Sequence, residues 1–397
     1  MAAALLATVG LASFIGGAQE LPSSKFVVVP DGTPVVPNFY NVVLDDEATG
    51  PRGPRSNVVP VTQALAAQYG ARVTSVMRYA LNGFTAEMSE KAAQALADDP
   101  RVLFVEPDVI GGVAATQNNP PAWGINRVDQ RNLPLNTTYV FNRTGANVNA
   151  YIIDTGIRIT HGDFGSPSRA SVGRDTVGDG RNGIDCHGHG THVAGTVGGT
   201  LHGVAKGVRL FAVRVLNCGG SGSASQAAQG VDWITGFGVQ PAVANMSLNY
   251  PVSATLDTAI RNSIADGTTY VVAAGNANVS GPNTSPQRMT EVILVGATAI
   301  NDTRASFSNF GPTLELFAPG QAIVSSWFTS NTATASLSGT SMASPHVAGA
   351  AALFLETNRT ATPAAVRTAI LNATTPGVVI NAGTGSPNRM LHTITLP

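Results

Sequence analysis

Three histidines and one cysteine lie close together in the stretch DCHGHGTHVAG, residues 185–195. Imidazole and thiolate groups are common ligands of zinc, so this set could hold a transition metal. Alternatively, one histidine is a proton-transfer base and the others have structural roles. The four candidate donors are Cys186, His187, His189 and His192. The stretch by itself leaves both interpretations open.

Three further residues have types and positions that suit catalysis. Asp154 ends the apolar run AYIID, Asn276 ends VVAAGN, and Ser341 follows Gly339 at the start of a long apolar helix. Each alone is more simply explained as a helix cap or turn residue. The positive end of the helix after Ser341 would nevertheless favour a nearby oxyanion.

Taken together, these residues supply every part that acyl transfer needs. A hydroxyl nucleophile requires a base, the base requires an orienting carboxylate, and the tetrahedral intermediate requires hydrogen-bond donors. Asp154, a histidine near 189 and Ser341 occur in the chain order Asp…His…Ser, which is that of subtilisin. The G-x-S-x-G motif of α/β-hydrolases is absent around Ser341.

The pattern of strands and helices predicts two domains. Residues 37–108 follow the order β-α-β-β-α-β, which is typical of a small two-layer α+β unit. From about 147 onward, apolar strands alternate with helices, which indicates a parallel sheet with helices on both faces. The segment 111–124 is small, polar and proline-rich, and we expect a linker and cleavage zone there.

Composition and termini narrow the class of protein. Charged residues make up 12% of the chain and the net charge is −1, so nothing indicates a nucleic-acid or anionic-membrane partner. The apolar N-terminus ends in small residues and predicts a signal peptide rather than a buried helix. No later stretch predicts a membrane anchor, so we expect secretion. In an exported protein, the two cysteines form either one disulfide or two buried thiols.

Five motifs resemble the conserved blocks of the subtilisin-like serine proteases. In chain order they are YIIDTGI, GHGTHVAGT, NMSL, AAGN and GTSMASPHVAG. PAWGINRVDQRNLPLN and the cysteine pair resemble the proteinase K branch, especially its aqualysin-type enzymes. YALNGFTAEMSEKAAQALADDPRVLFVEPD resembles the inhibitory I9-type propeptide of the family. The resemblance implies an α/β, three-layer, parallel-sheet catalytic domain preceded by a small α+β, ferredoxin-like propeptide domain.

The resemblance also implies a role for each candidate residue. His189, the first histidine of H-G-T-H, would be the general base, oriented by Asp154. Ser341 would attack the scissile carbonyl, and its own N–H together with Asn276 would bind the oxyanion. The matching cysteines of relatives form a disulfide, which implies a Cys186–Cys218 bond.

Two segments look like the extended edges that bind the substrate backbone in this family. Recognition by strand addition tolerates many sequences, so extended or unfolded polypeptides are the expected substrates. Asn249 stands where the family has glycine, which predicts a narrower pocket and smaller preferred residues before the scissile bond. The expected substrate-binding residues are Gly220, Ser221, Gly222, Ser247, Leu248 and Asn249.

The resemblance implies structural calcium but no cofactor for catalysis. Asp129, Gln130 and Asn136 lie in a segment that resembles one calcium loop of relatives, and Glu315 stands where an aspartate ligand would be expected. These matches are partial, and we assign no metal ligands from them. We expect a monomer whose protein partners are its polypeptide substrates and its own propeptide.

The predicted organisation is that of a self-processing secreted zymogen. Residues 1–18 would be a signal peptide that lacks the usual positive n-region, because its start is either truncated or mis-called; 19–113 would be an inhibitory propeptide, and 114–397 the catalytic domain. Cleavage would occur near Val113–Thr116. Two other hypotheses are a catalytically silent peptide-binding protein of the same fold and a zinc hydrolase built on the 185–195 histidines, although H-E-x-x-H is absent.

Overall fold

The computed structural model describes residues 24–29, 35–109 and 115–396. The chain divides into two compact units, and the boundary between them falls between Ile110 and Gly111. The predicted signal peptide, 1–18, lies outside the described residues. Of the predicted cleavage segment, only Ala115 and Thr116 are described, and both belong to a strand of the second unit.

The N-terminal unit is a four-stranded antiparallel sheet with helices. In the sheet the strands are ordered β2-β3-β1-β4. Its elements are β1 Val35–Leu44, α1 Asp46–Thr49, α2 Val58–Tyr69, β2 Arg72–Met77, β3 Gly83–Glu87, α3 Glu90–Ala97 and β4 Val102–Val109. The predicted β-α-β-β-α-β order and ferredoxin-like class are confirmed, with α1 as a short addition.

Local sequence explains these elements. Tyr40, Val42 and Leu44 alternate along β1 and are all buried, as expected for a strand with one face on the core. The Ser89 side chain accepts a hydrogen bond from the Ala92 N–H and so caps α3.

The C-terminal unit contains the other strands and helices of the described chain. Its strands are β5 Ala115–Asn118, β6 Thr138–Phe141, β7 Asn149–Asp154, β8 Ala170–Asp175, β9 Arg209–Arg214, β10 Ala242–Met246, β11 Thr269–Ala273, β12 Ile293–Thr298, β13 Leu316–Pro319, β14 Ile323–Ser326, β15 Thr334–Leu337, β16 Thr375–Pro376 and β17 Arg389–Met390. Its helices are α4 Trp123–Val128, α5 His189–Gly198, α6 Ala224–Phe237, α7 Ala254–Ala265, α8 Thr340–Thr357 and α9 Pro363–Ala373.

Nine of these strands form one sheet in the order β16-β17-β13-β12-β11-β10-β7-β9-β8. Neighbouring strands are parallel except for β16 with β17. Side chains of β7 alternate between the two faces: Ile152 joins the buried cluster of α5, α8 and α9, whereas Tyr151 and Ile153 join that of α6 and α7. Helices therefore cover both faces, which confirms the predicted three-layer α/β class.

Candidate active site

The candidate catalytic residues lie at one edge of the parallel sheet. β7 lies between β10 and β9, and β11 is the other neighbour of β10. Asp154 is the last residue of β7, Ser247 follows β10, and Asn276 lies shortly after β11. Because the carboxyl ends of parallel strands meet at the same edge, the fold gathers residues that are far apart in sequence.

Asp154 and His189 form a buried hydrogen-bonded pair. The Nδ1 atom of His189 lies 2.8 and 2.9 Å from the two carboxylate oxygens of Asp154, and the Asp154 side chain has no exposed surface. Nδ1 therefore carries the proton, which leaves Nε2 as the ring atom able to accept one.

Two opposing effects determine the basicity of His189. Burial disfavours the charged imidazolium, but the Asp154 carboxylate attracts and hydrogen-bonds it, and the net result raises the pKa of His189 above 6.5. The His189 side chain remains 19% exposed. The ring is thus both a stronger base than free histidine and accessible from solvent.

Asp185 fixes the loop that positions His189, a role that its place in the sequence did not indicate. Its Oδ1 accepts hydrogen bonds from the Gly188 N–H and the Thr155 hydroxyl, both at 2.9 Å, and its Oδ2 accepts from the Thr191 N–H at 2.9 Å. Asp185 thereby joins the end of β7 to the first turn of α5. Gly188 precedes α5 with φ 107°, in the left-handed region, where an added Cβ would lie 2.4 Å from the Trp327 ring.

Ser341 lies in the first turn of α8, and its backbone and hydroxyl both contact Ser247. The Ser341 hydroxyl donates to the Ser247 carbonyl at 3.2 Å; within the described chain it makes no hydrogen bond with His189. In return, the Ser247 hydroxyl donates to the Ser341 carbonyl at 2.9 Å. That carbonyl is free to accept because Pro345, four residues on, has no N–H to offer it.

A buried network of polar side chains fixes Ser247. Its Oγ lies 2.8 Å from the Ser344 Oγ and accepts a hydrogen bond from the Asn245 amide at 2.9 Å. Since its proton goes to the Ser341 carbonyl, Ser247 accepts from Ser344, and all of its hydrogen-bonding capacity is used. Asn245 and Ser344 are further residues that sequence analysis missed, because their side chains have no feature that separates them from ordinary core polar groups.

Asn276 and the backbone of Ser341 direct two N–H donors at one region. The Asn276 Oδ1 accepts from the Thr340 N–H at 2.8 Å and the Thr340 hydroxyl at 2.9 Å, which fixes the amide so that Nδ2 points the other way. A Cβ built on Gly339 would lie 3.4 Å from that Nδ2 and 3.6 Å from the Ser341 N. The space beside Gly339 therefore faces both donors, as a site for a developing oxyanion requires.

A groove of about 440 Å³ runs beside His189. All six predicted substrate-binding residues line it, with Asn249 exposed. The residues that line it are Thr155, His187, His189, Leu216, Gly219, Gly220, Ser221, Gly222, Ser247, Leu248, Asn249, Tyr250 and Pro251. Segments 219–222 and 247–251 thus line the same groove as His189.

The four donors of the 185–195 stretch have separate partners. Cys186 is bonded to Cys218, and the His192 Nε2 lies 3.0 Å from the Ile323 carbonyl and 3.1 Å from the Ala335 carbonyl. Burial lowers the pKa of His192 to about 4. His187 lines the groove. Among the described residues, no three His, Cys, Asp or Glu side chains form a group that could hold a metal.

The predicted Cys186–Cys218 disulfide is confirmed, and it closes a loop with a sequence separation of 32. Replacing both cysteines with serine is expected to lower the free energy of unfolding by about 3–4 kcal/mol, because the unfolded chain loses the constraint of that loop. The measurement is denaturant unfolding of the double variant in the Ser341→Ala background, which prevents self-digestion. Reductant should bring the single Ser341→Ala protein to the same midpoint, and a loss below about 1 kcal/mol would contradict the prediction.

The candidate calcium ligands do not fit a calcium ion. The Asn136 N–H donates to the Gln130 Oε1 at 3.1 Å, and the Asp129 Oδ2 accepts from the Val140 N–H at 2.7 Å. Among the side-chain oxygens of these candidates that the structure describes, the Asp129 Oδ1 alone is buried without a partner, and one such oxygen does not approach the six to eight that calcium takes. Glu315 is paired with the guanidinium of Arg367, so a cation already occupies that carboxylate.

Comparisons with known proteins agree with the two units. Residues 145–390 match the model of the subtilase family, and residues 40–111 match that of the peptidase inhibitor I9 family. No helix in the described parts of the chain combines the length and apolarity needed to cross a bilayer.

Individual proteins resemble the chain over most of its length. The extracellular serine proteinase of Thermus sp. (strain Rt41A) is 48% identical over 377 residues, 94% of this chain and 90% of that protein. Alkaline serine exoprotease A of Vibrio alginolyticus is 44% identical over 82% of this chain and 61% of its own length. The crystal structure of a cold adapted subtilisin-like serine proteinase superposes with a TM-score of 0.66 at 44% identity, covering 68% of this chain and 98% of that one.

Proposed function

We propose, from the premise that this chain belongs to the subtilase family of serine proteases, that Asp154, His189 and Ser341 are its catalytic triad. The chain is a subtilisin-like serine protease made with an inhibitor I9 propeptide. The observation that carries the assignment is the buried hydrogen bond between the His189 Nδ1 and Asp154, which leaves Nε2 free to accept a proton on a residue that lines the groove. The proposed activity is that of a secreted endopeptidase with broad specificity.

The proposed reaction begins with proton transfer from Ser341 to His189. The Ser341 hydroxyl turns from the Ser247 carbonyl toward the His189 Nε2, gives up its proton and attacks the scissile carbonyl carbon. Asp154 stabilises the imidazolium that forms. The imidazolium then returns the proton to the leaving amine, and the C–N bond breaks to give an acyl-enzyme on Ser341 Oγ. Water, deprotonated by His189, hydrolyses this ester and frees Ser341.

Asn276 and the Ser341 N–H would stabilise the tetrahedral intermediates. Both donors face the space beside Gly339, and the Thr340 contacts hold the Asn276 amide in place before the substrate arrives. A fixed donor stabilises the oxyanion without reorganising, so it favours the transition state over the planar ground-state carbonyl.

The substrate backbone would lie between the two groove walls. Gly220, Ser221 and Gly222 would form one side, and Ser247, Leu248 and Asn249 the other. Backbone hydrogen bonds to an added strand do not depend on sequence, which accounts for broad specificity toward extended or unfolded polypeptides.

Maturation and organisation are also part of the proposal. Residues 1–18 would be a signal peptide, 19–113 the inhibitory propeptide, and 114–397 a catalytic domain that acts as a monomer after self-cleavage near Val113–Thr116. Subtilases are often stabilised by calcium, and we extend this to the present chain as a proposal with no assigned ligands. The catalytic residues themselves need no cofactor.

A serine-directed fluorophosphonate tests the proposed chemistry directly. We expect the wild-type protein to cleave casein and to incorporate one label at Ser341, located by mass spectrometry of the labelled peptide. A folded protein that neither takes up the label nor cleaves casein would instead support the catalytically silent peptide-binding protein.

Asn249 is expected to restrict the residue that precedes the scissile bond. Asn249 lines the groove at a position where the family resemblance implies glycine, so we expect wild type to favour small residues there. Asn249→Gly should raise the relative kcat/KM for phenylalanine at this position about tenfold. Cleavage profiling on a peptide library measures this change. A strong phenylalanine preference in wild type that is unchanged in Asn249→Gly would contradict the prediction.

A further inference from the structure

Tyr250 follows Asn249 on one wall of the groove, and its backbone is held firmly. The Tyr250 N–H donates to the Ser285 carbonyl at 2.8 Å, and the Ser285 N–H donates to the Tyr250 carbonyl at 3.0 Å. The Gln287 amide donates to the Leu248 carbonyl at 2.9 Å. These hydrogen bonds hold the backbone of residues 248–250 in place, which limits the positions open to the Tyr250 side chain.

The Tyr250 ring is buried beneath the groove. The residue lines the groove but is only 6% exposed, so nearly all of its side chain lies below the surface that a substrate would touch. It belongs to the same buried apolar cluster as Leu216 and Leu248, and all three residues line the groove. A large aromatic ring thus takes up volume under the apolar part of the groove.

The Tyr250 hydroxyl makes no contact with the described residues that would require a tyrosine at this position. Its oxygen is buried and has no hydrogen-bond partner within the described chain. Burial and the nearby Asp154 carboxylate raise the pKa of Tyr250, so the phenol is neutral at any pH the enzyme would meet. No described residue hydrogen-bonds this hydroxyl, so the inference rests on the volume of the buried ring.

We propose that Tyr250 determines specificity by filling the floor of the groove between Leu216 and Leu248. This inference rests on the proposed function and extends it to a second substrate position, apart from the one that Asn249 restricts. A substrate side chain that rests over the ring finds a shallow apolar surface, which accepts alanine- or valine-sized groups and rejects aromatic ones. Removing the ring opens a cavity continuous with the groove.

The test compares three variants by cleavage profiling with a positional peptide library. Tyr250→Ala should raise the kcat/KM ratio of phenylalanine to alanine at least tenfold at one substrate position other than the residue that directly precedes the scissile bond, and Tyr250→Leu should raise it less. Tyr250→Phe should leave the ratio unchanged, because it keeps the ring and removes only the unpartnered hydroxyl. Leucine keeps most of the apolar packing, so the proposal is still tested if the alanine variant does not fold.

Tyr270→Ala is the matched control for lost core packing. Tyr270 is a buried tyrosine of the same cluster, but it does not line the groove, and its hydroxyl donates to Ser263. We expect this variant to be less stable with an unchanged specificity ratio. Equal ratios in wild type, Tyr250→Ala and Tyr250→Leu, or the same shift in Tyr270→Ala, would overturn the proposal.

Fluorophosphonate labelling separates this result from a failure of the proposed function. An aliquot of each variant is first titrated with the probe, which inactivates the sites it labels, so that kcat/KM of the unlabelled protein refers to the concentration of active sites. Variants that label at Ser341 and cleave the library without a change in ratio overturn the role of Tyr250 alone. Wild type that neither labels nor cleaves overturns both proposals.

Discussion

Ser341→Ala is expected to lower kcat by about 10⁶-fold, a magnitude carried over from subtilisin itself. Without Oγ there is no atom to form the acyl-enzyme, and what remains is the weak assistance of the oxyanion donors to attack by water. Hydrolysis of a chromogenic peptide by purified protein measures the loss. Circular dichroism should show an intact fold, since alanine at this position removes only the hydrogen bond to the Ser247 carbonyl.

The same variant tests self-processing. If the enzyme cuts its own propeptide, Ser341→Ala should accumulate as the full chain without its signal peptide, which gel mobility and N-terminal sequencing would show. Ser338→Ala is the matched control, because Ser338 is an exposed serine nearby whose Oγ accepts only from the Ala322 N–H. We expect it to mature and to act as wild type does. Maturation of Ser341→Ala in a protease-free system would show that another enzyme makes the cut.

Asp154→Asn is expected to lower kcat by about 10⁴-fold, again the size known for this class of triad. The asparagine amide cannot hold Nδ1–H as a carboxylate does, so the ring takes the wrong tautomer and its imidazolium loses its counter-charge. The kcat of a peptide substrate measures the change. A loss smaller than about tenfold would mean that Asp154 does not orient the base.

The pH profile of this variant gives a second, independent readout. His189 acts as a base only when neutral, and Asp154 raises its pKa above 6.5, so wild-type kcat/KM should fall as the pH drops through a value above 6.5. Removing the carboxylate removes that stabilisation of the imidazolium. The acidic limb of the Asp154→Asn profile should therefore move to lower pH, and an unmoved limb would contradict the assignment of His189.

Asp163→Asn is a matched control for both measurements. Asp163 also pairs with a histidine, since its Oδ2 lies 2.8 Å from the His202 Nδ1, and both side chains are buried. The pair is not among the residues that line the groove. We expect Asp163→Asn to reduce stability while kcat and the acidic limb stay where they are in wild type.

Much of the fold was predictable because its elements have strong local patterns. The apolar run before Asp154 and the helix after Ser341 are buried on all sides, and such segments differ clearly from loops. The site residues were predictable only when they were considered as a set. A lone serine at a helix start is usually a cap, and it was the combination with Asp154, His189 and Asn276 that indicated acyl transfer.

The supporting contacts were not predictable, because they join residues distant in sequence through ordinary polar groups. Ser344 and Ser247 meet only once the sheet has formed, and Pro345 matters because it frees one particular carbonyl. The pairing of Glu315 with Arg367 is of the same kind. A metal ligand predicted from a local segment can have its carboxylate already paired with a residue far away in the sequence. Arg367, which pairs with Glu315, is 52 positions away from it.

The reciprocal bonds between Ser247 and Ser341 join a segment that lines the groove to the proposed nucleophile. Each residue donates its hydroxyl to the other's carbonyl, and in the proposed reaction only the bond from the Ser341 hydroxyl has to break. Misplacing a reacting atom by about 1 Å can cost a hundredfold in rate. The bond from the Ser247 hydroxyl to the Ser341 carbonyl remains, so the residue proposed to carry the attacking oxygen stays tied to the segment proposed to align the peptide.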